Sequence, residues 1–135
     1  MRSLARRLGQ ERGQALIEGL LALGLVLLAV AFGVQALAYA HARSVAIAAA
    51  QDGARAAAAG GPQAGLDRAA GVLAAAGGTG AELRPAVSEQ GNEVTVRVAG
   101  QAPRVFSLPL LLPAVSVSAS LPLEQYPEAE RAAAP

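Results

Sequence analysis

The hydrophobic pattern divides the chain into three regimes. From Gly19 to Ala40 no residue is charged across 22 positions, and at 1.5 Å rise per residue a helix of that length spans roughly 33 Å. A bilayer hydrocarbon core is about 30 Å thick, so the run predicts a membrane-spanning helix. From His41 to about Ala59 alanine dominates, and Arg43, Gln51, Asp52 and Arg55 are spaced as a wetted face on a continuation of the same helix. Gly60-Gly61-Pro62 breaks it, since glycine ends a helix and proline cannot continue its hydrogen bonding. A second helix is predicted from Gln63 to Ala76. It carries a weak apolar face of Leu66, Ala69, Ala70, Leu73 and Ala76, and Gly77-Gly78-Thr79-Gly80 closes it.

Beyond Gly80 the period changes to two. In Glu93-Val94-Thr95-Val96-Arg97-Val98 the valines alternate with polar residues, which predicts a strand with one buried face and one wet face. Leu83 to Ser88 is read as its partner strand, joined through Gln90-Gly91-Asn92, where glycine and asparagine tolerate the positive φ of a tight hairpin. Val115-Ser116-Val117-Ser118-Ala119-Ser120-Leu121 alternates in the same way and predicts a further strand, its serines facing solvent. Pro103, Pro109 and Pro113 confine the intervening Arg104 to Leu112 to an irregular or edge path. The fold class expected is therefore α+β: a long N-terminal transmembrane helix continuing into an extracytoplasmic helix, then a short helix and a small antiparallel sheet of about three strands. So small a sheet needs the base of the long helix, or other subunits, to complete its core.

Charge gives this scheme a direction. All the basic residues are arginine, and Arg2, Arg6, Arg7 and Arg12 precede the apolar run against a single acid, Glu11, while Arg43 and the titratable His41 follow it. The positive-inside rule then leaves the amino terminus in the cytoplasm and the carboxyl end outside. After Gly13 seven arginines face nine acids, a net charge of −2. The later arginines form no cluster, so nucleic acid is not an expected partner. The chain has no cysteine, which removes disulfides and thiolate metal sites.

Catalysis is not expected either. The single histidine, His41, sits at the membrane boundary with no second histidine or cysteine to act with it, and the serines of the last strand lack a base. Gly77-Gly78-Thr79-Gly80 has no lysine and does not follow a strand, so it is no phosphate loop. No cofactor or metal is expected. Asp52 and Arg55 lie three apart and are expected to pair, for about 0.2–0.5 kcal/mol.

One carboxylate stands apart from this pattern. In Gly13-Gln14-Ala15-Leu16-Ile17-Glu18-Gly19 an acid sits at the mouth of the uncharged run, directly after a basic leader. A carboxylate in apolar surroundings is costly unless neutralised or partnered. The helix macrodipole favours it only modestly in the first turn. Counted from a cut after Gly13, Gln14 becomes the first residue and Glu18 the fifth. This arrangement resembles the type IV pilins and their pseudopilin relatives. The continuation Gly53-Ala54-Arg55-Ala56-Ala57-Ala58 is similar to the TadE-like subgroup, so the resemblance covers roughly Gly13 to Ala59. It implies processing by a prepilin peptidase between Gly13 and Gln14, and pairing of Glu18 with the free amino terminus of a neighbouring subunit. It also implies a place among other pseudopilins, the major pilin and the inner-membrane assembly platform of a tight-adherence (Flp-type) pilus or related secretion machine. Gly19 stands where the major subunit of that class has an aromatic residue, which favours a minor pseudopilin.

On this reading residues 1–13 are a cleaved leader and 14–59 the transmembrane and extended helix. Residues 60–123 form a small extracytoplasmic domain, and 124–135 a disordered acidic tail. Ala29, Gly33, Ala36 and Ala40 recur at spacings of four, three and four, a small-residue stripe that lets membrane helices approach closely. Two rival readings stay open. One is a single-pass, signal-anchored envelope domain that keeps its leader and serves a binding or structural role. The other is a secreted protein cut at Ala36-Leu37-Ala38 or Ala38-Tyr39-Ala40, both of which resemble signal peptidase sites.

Overall fold

A computed structural model of the chain describes the backbone of residues 2–106 and 113–123, and side chains from Gln14 onward within those spans. Helix α1 runs unbroken from Arg2 to Gly60. It therefore starts well before Gly19, where the apolar pattern placed its beginning. Residues 2–13 are rich in Leu, Ala, Arg, Gln and Glu, all strong helix formers, and isolated glycines such as Gly9 and Gly13 cost only about 1 kcal/mol each. Gly61, at φ 87°, turns the chain, and Pro62 opens α2 (Pro62–Ala75) at a position where a missing N–H costs nothing. A single 3-10 turn, Gly77–Thr79, leads into the sheet.

The sheet has three antiparallel strands in the order β1 (Leu83–Gln90), β2 (Glu93–Gly100), β3 (Val115–Pro122). The β1–β2 hairpin closes on the pair Gln90↔Glu93, leaving Gly91 and Asn92 as a two-residue turn. Only Gly91 takes positive φ, at 60°; Asn92 does not use the left-handed region its type tolerates. This is the glycine-first pattern of type II′ hairpins. Val94, Val96 and Val98 are fully buried, while Arg97 between them is exposed, as the alternation predicted. Ser116, Ser118 and Ser120 likewise face outward. The irregular path expected between Pro103 and Pro113 is seen at residues 101–106; its remainder, like the acidic tail at 124–135, lies outside the described residues.

The chain divides into two units, residues 1–37 and residues from 38 onward. The second unit thus reaches back along α1 beyond the 60–123 span that the sequence suggested. The reason is packing: Ala42, Ala46, Ala49, Ala50, Ala54 and Ala57 of α1 are fully buried in one core with Ala69 and Leu73 of α2 and the inward residues of the sheet. The small sheet does complete its core on the long helix. Strand β3 runs beside α1 in the same direction. Ser118–Leu121 border Gln51, Ala54 and Arg55 across a shallow groove, and Leu121 and Pro122 border Arg55, Ala58 and Ala59.

The two helices meet backbone to backbone. A Cβ built on Gly65 would sit 2.6 Å from Ala57 Cβ and 2.9 Å from the Gly53 carbonyl oxygen. One built on Gly53 would lie 3.0 Å from Ala69 Cβ and from the Gly65 oxygen, and 3.1 Å from Val96 Cγ1. The apolar face of α2 is accordingly centred on Gly65, Ala69 and Leu73, with Leu66 half-buried and Ala70 exposed. Sequence periodicity had included Ala70 and passed over Gly65, because hydropathy does not register a residue whose contribution is its lack of a side chain.

This contact predicts a contrast within one helix. Gly65→Ala should lower the unfolding free energy by about 1–3 kcal/mol through overpacking. Gly71→Ala, where an added Cβ meets nothing within 4 Å, should be neutral or stabilising by up to about 1 kcal/mol. Chemical denaturation of the full chain in detergent micelles, followed by circular dichroism, reads both; equal effects would show that the helices are not held by close approach.

Candidate functional site

The residues singled out around the processing motif all lie on α1. Gly13 and Gln14 fall within its continuous backbone, so the bond between them is helical here. Gln14 and Glu18 are four apart and share one helix face. Glu18 is exposed, as is every residue from Gln14 to Val30, and no hydrogen bond or ion pair to its carboxylate is seen among the described residues. Added Cβ atoms at Gly19, Gly24 and Gly33 would meet nothing within 4 Å.

This is the one helix among the described residues long and apolar enough to cross a membrane. Its most apolar window has none of its residues buried against the rest of the chain, unlike the core helix of a globular domain. Leu16, Ile17, Leu20, Leu21, Leu25 and Leu27 are each more than 60% exposed, a surface that water does not tolerate as a contiguous patch. Among the described residues nothing covers this surface. Of the proposed packing stripe, Ala29, Gly33, Ala36 and Ala40 are all exposed and lie along one face.

Further along, the Gly53–Ala58 segment that carries the second resemblance has a definite structural role. Gly53 and Ala57 are buried in the α1–α2 seam, Ala54 is buried facing β3, and Arg55 is exposed. Arg55 donates to Asp52 Oδ1 at 2.8 Å, the pairing their spacing predicted. Sequence reasoning missed that Arg68 of α2 also donates to Asp52, at Oδ2 and 3.1 Å. Asp52 thereby bridges the two helices across the seam. Gln63 donates to Asp67 along α2 at 3.0 Å.

The outer face of the sheet is a hydroxyl lattice. Arg97 donates to Ser116 Oγ from both Nε and Nη2, at 3.2 and 3.0 Å, and Thr95 and Ser120 share a hydrogen bond of 2.7 Å. These serines are thus engaged in cross-strand pairing, which is the ordinary way such a face is stabilised. A shallow apolar depression of about 460 Å³ lies between the end of α2 and the start of β1, lined mainly by Leu73, Ala74, Leu83 and Pro85. Among the described residues no three histidine, aspartate or glutamate side chains gather in one place. His41 is exposed, just past the uncharged run.

Compared with models of protein families, with curated proteins and with solved structures, the chain matches none.

The Asp52 bridge gives a measurable quantity. Its partners are well exposed, with Arg55 at 67% and Arg68 at 61% of the side chain, so the coupling is small. A double-mutant cycle on Asp52→Ala and Arg68→Ala should give about 0.2–1 kcal/mol, decreasing as salt is raised. A salt-independent coupling well above this range would mean that the pair is shielded from solvent.

Proposed function

We propose that this protein is a TadE-like minor pseudopilin, a small membrane-anchored subunit that assists assembly of a tight-adherence (Flp-type) pilus or a related secretion machine. The observation that carries the reading is the conjunction at the head of α1. A basic leader ends at Gly13, a lone carboxylate follows at Glu18, and the helix behind it is apolar and exposed at every position from Gln14 to Val30. An acid with no partner among the described residues, at the edge of an exposed apolar surface, is suited to pairing with a cation brought by another subunit.

In this reading α1 crosses the inner membrane with its amino terminus in the cytoplasm, and the second unit lies outside. A prepilin peptidase cuts between Gly13 and Gln14. The new amino group of a neighbouring subunit then meets Glu18, forming a charge-assisted pair whose value is raised by the low-dielectric setting. The stripe of Ala29, Gly33, Ala36 and Ala40 packs against a second helix. Gly19, in place of an aromatic residue, supports a minor subunit over the filament's bulk component. The partners are the prepilin peptidase, other pseudopilins and the major pilin, the assembly platform and the bilayer. Neither nucleic acid nor a catalytic substrate has a place in the scheme.

The test is the identity of the amino-terminal residue. The chain is expressed in membranes with and without a matching prepilin peptidase, and its amino terminus is read by mass spectrometry. A start at Gln14 only in the presence of the peptidase is expected, and Glu18→Ala should be cut normally while failing to co-purify with pilus subunits. A start at Met1 under both conditions would reduce the protein to a tethered envelope domain, and a start near residue 39 or 41 would make it a secreted one.

A further inference from the structure

Large apolar side chains that are exposed fall in two places among the described residues. The first is α1 from Leu16 to Leu37, and the second is the adjacent pair Val105 and Phe106, 49% and 40% exposed. The second pair belongs to the outer unit, in the irregular segment that leaves β2, where the reading above puts water. A phenylalanine and a valine side by side on a domain with so few aromatic residues call for an explanation of their own.

Their position in the unit supplies one. Strand β3 lies alongside α1 in the same direction, with Leu121 beside Arg55 and Ala58. Six residues back along the strand, to Val115, cover about 20 Å, which corresponds to about 13 residues of helix. That sets Val115 near the level of Ala42 to Ala46; all three are buried in the core. Gly100 pairs with Val115. The segment after Gly100 therefore leaves the sheet at the end where α1 changes from its uncharged run to His41 and Arg43. Ala102 stays in the core, so the four residues after it can reach up to about 14 Å beyond. Arg104 is exposed, and after it the sequence carries no charge from Val105 to Leu123.

We propose that Arg104, Val105 and Phe106 form a second membrane contact, with Val105 and Phe106 seated at the headgroup–acyl boundary of the leaflet from which α1 emerges. Phenylalanine beside arginine suits that zone: the ring takes the apolar side, and the guanidinium donates to lipid phosphate. Arg43, exposed just past the end of the uncharged run, offers phosphate a second guanidinium near the same level. The inference rests on α1 spanning a bilayer and is independent of cutting at Gly13 or of any role for Glu18.

The chain has no tryptophan, so a single introduced indole reports without background. Full-length Phe106→Trp, Leu28→Trp and Gln90→Trp are each reconstituted at low protein-to-lipid ratio in vesicles of phosphatidylcholine and phosphatidylglycerol, with lipids brominated either high on the acyl chain or near its end. Leu28→Trp tests the span itself, and Gln90→Trp, at the exposed hairpin end of the sheet, is the control in water. The expected result is a blue-shifted Phe106→Trp emission quenched most by the shallow label, Leu28→Trp quenched most by the deep label, and Gln90→Trp unaffected. Val105→Trp reads the same contact should Phe106→Trp not fold. If Leu28→Trp is quenched while both loop reporters emit like Gln90→Trp, the second contact is wrong and the span stands. If Leu28→Trp is not quenched, the span fails and this inference fails with it.

Discussion

The second unit depends on a close approach between two helix backbones. Where α1 and α2 cross, Gly53 and Gly65 bring each other's carbonyl oxygens within 3.0 Å of where a Cβ would stand, and Ala57 and Ala69 fill the remaining space. Alanine buries little area, so a core made largely of it cannot rely on bulk. It relies on closeness: short separations put many atoms within dispersion range, and each contact is worth only about 0.1–0.2 kcal/mol. Val96 reaches the same crossing from the sheet. The strand layer thus sits directly on the seam, and the register of β1 and β3 against β2 follows from which valines point toward it.

One helix presents two kinds of surface. Over the first part of its described length α1 presents leucine and valine outward and buries none of them; from Ala42 onward it buries alanine and presents Arg43, Gln51 and Arg55. In the apolar part, intrahelical hydrogen bonds satisfy the backbone and side chains need only be greasy. In the alanine part, the side chains are small because other protein must come close. The change of composition near Ala40 is a change in what the helix surface is expected to touch.

Much of this was legible in the sequence, and the reasons differ by element. The valine alternation of β2 and the Gly60-Gly61-Pro62 break carry strong local physics, and both elements stand where they were read, as does the Asp52–Arg55 pair. The alanine seam was hidden because a chain rich in alanine shows small residues at every spacing, so the buried set from Ala42 to Ala57 has no contrast against its background. Gly65 and the Arg68–Asp52 bridge depend on a crossing between helices, which no single-helix pattern contains. The helix start at Arg2 was missed for another reason, since apolar periodicity sees only where a helix becomes hydrophobic. For the candidate site the position of Glu18 at the head of an exposed apolar helix was readable, and the described residues add no partner to it.

Strand β3 is one edge of the sheet, and from Val115 to Leu121 it alternates valine, alanine and leucine with serine and carries no charge. Such a segment is a template for pairing with its own kind, with only Pro113 before it and Pro122 at its end to interrupt the run. The danger is greatest while α1 is not yet beside it, since that helix borders the strand along Ser118 to Pro122. Release of the chain from its helix would then favour amyloid-like association over a soluble fragment. The long helix thereby also covers the strand edge that would otherwise be open to pairing.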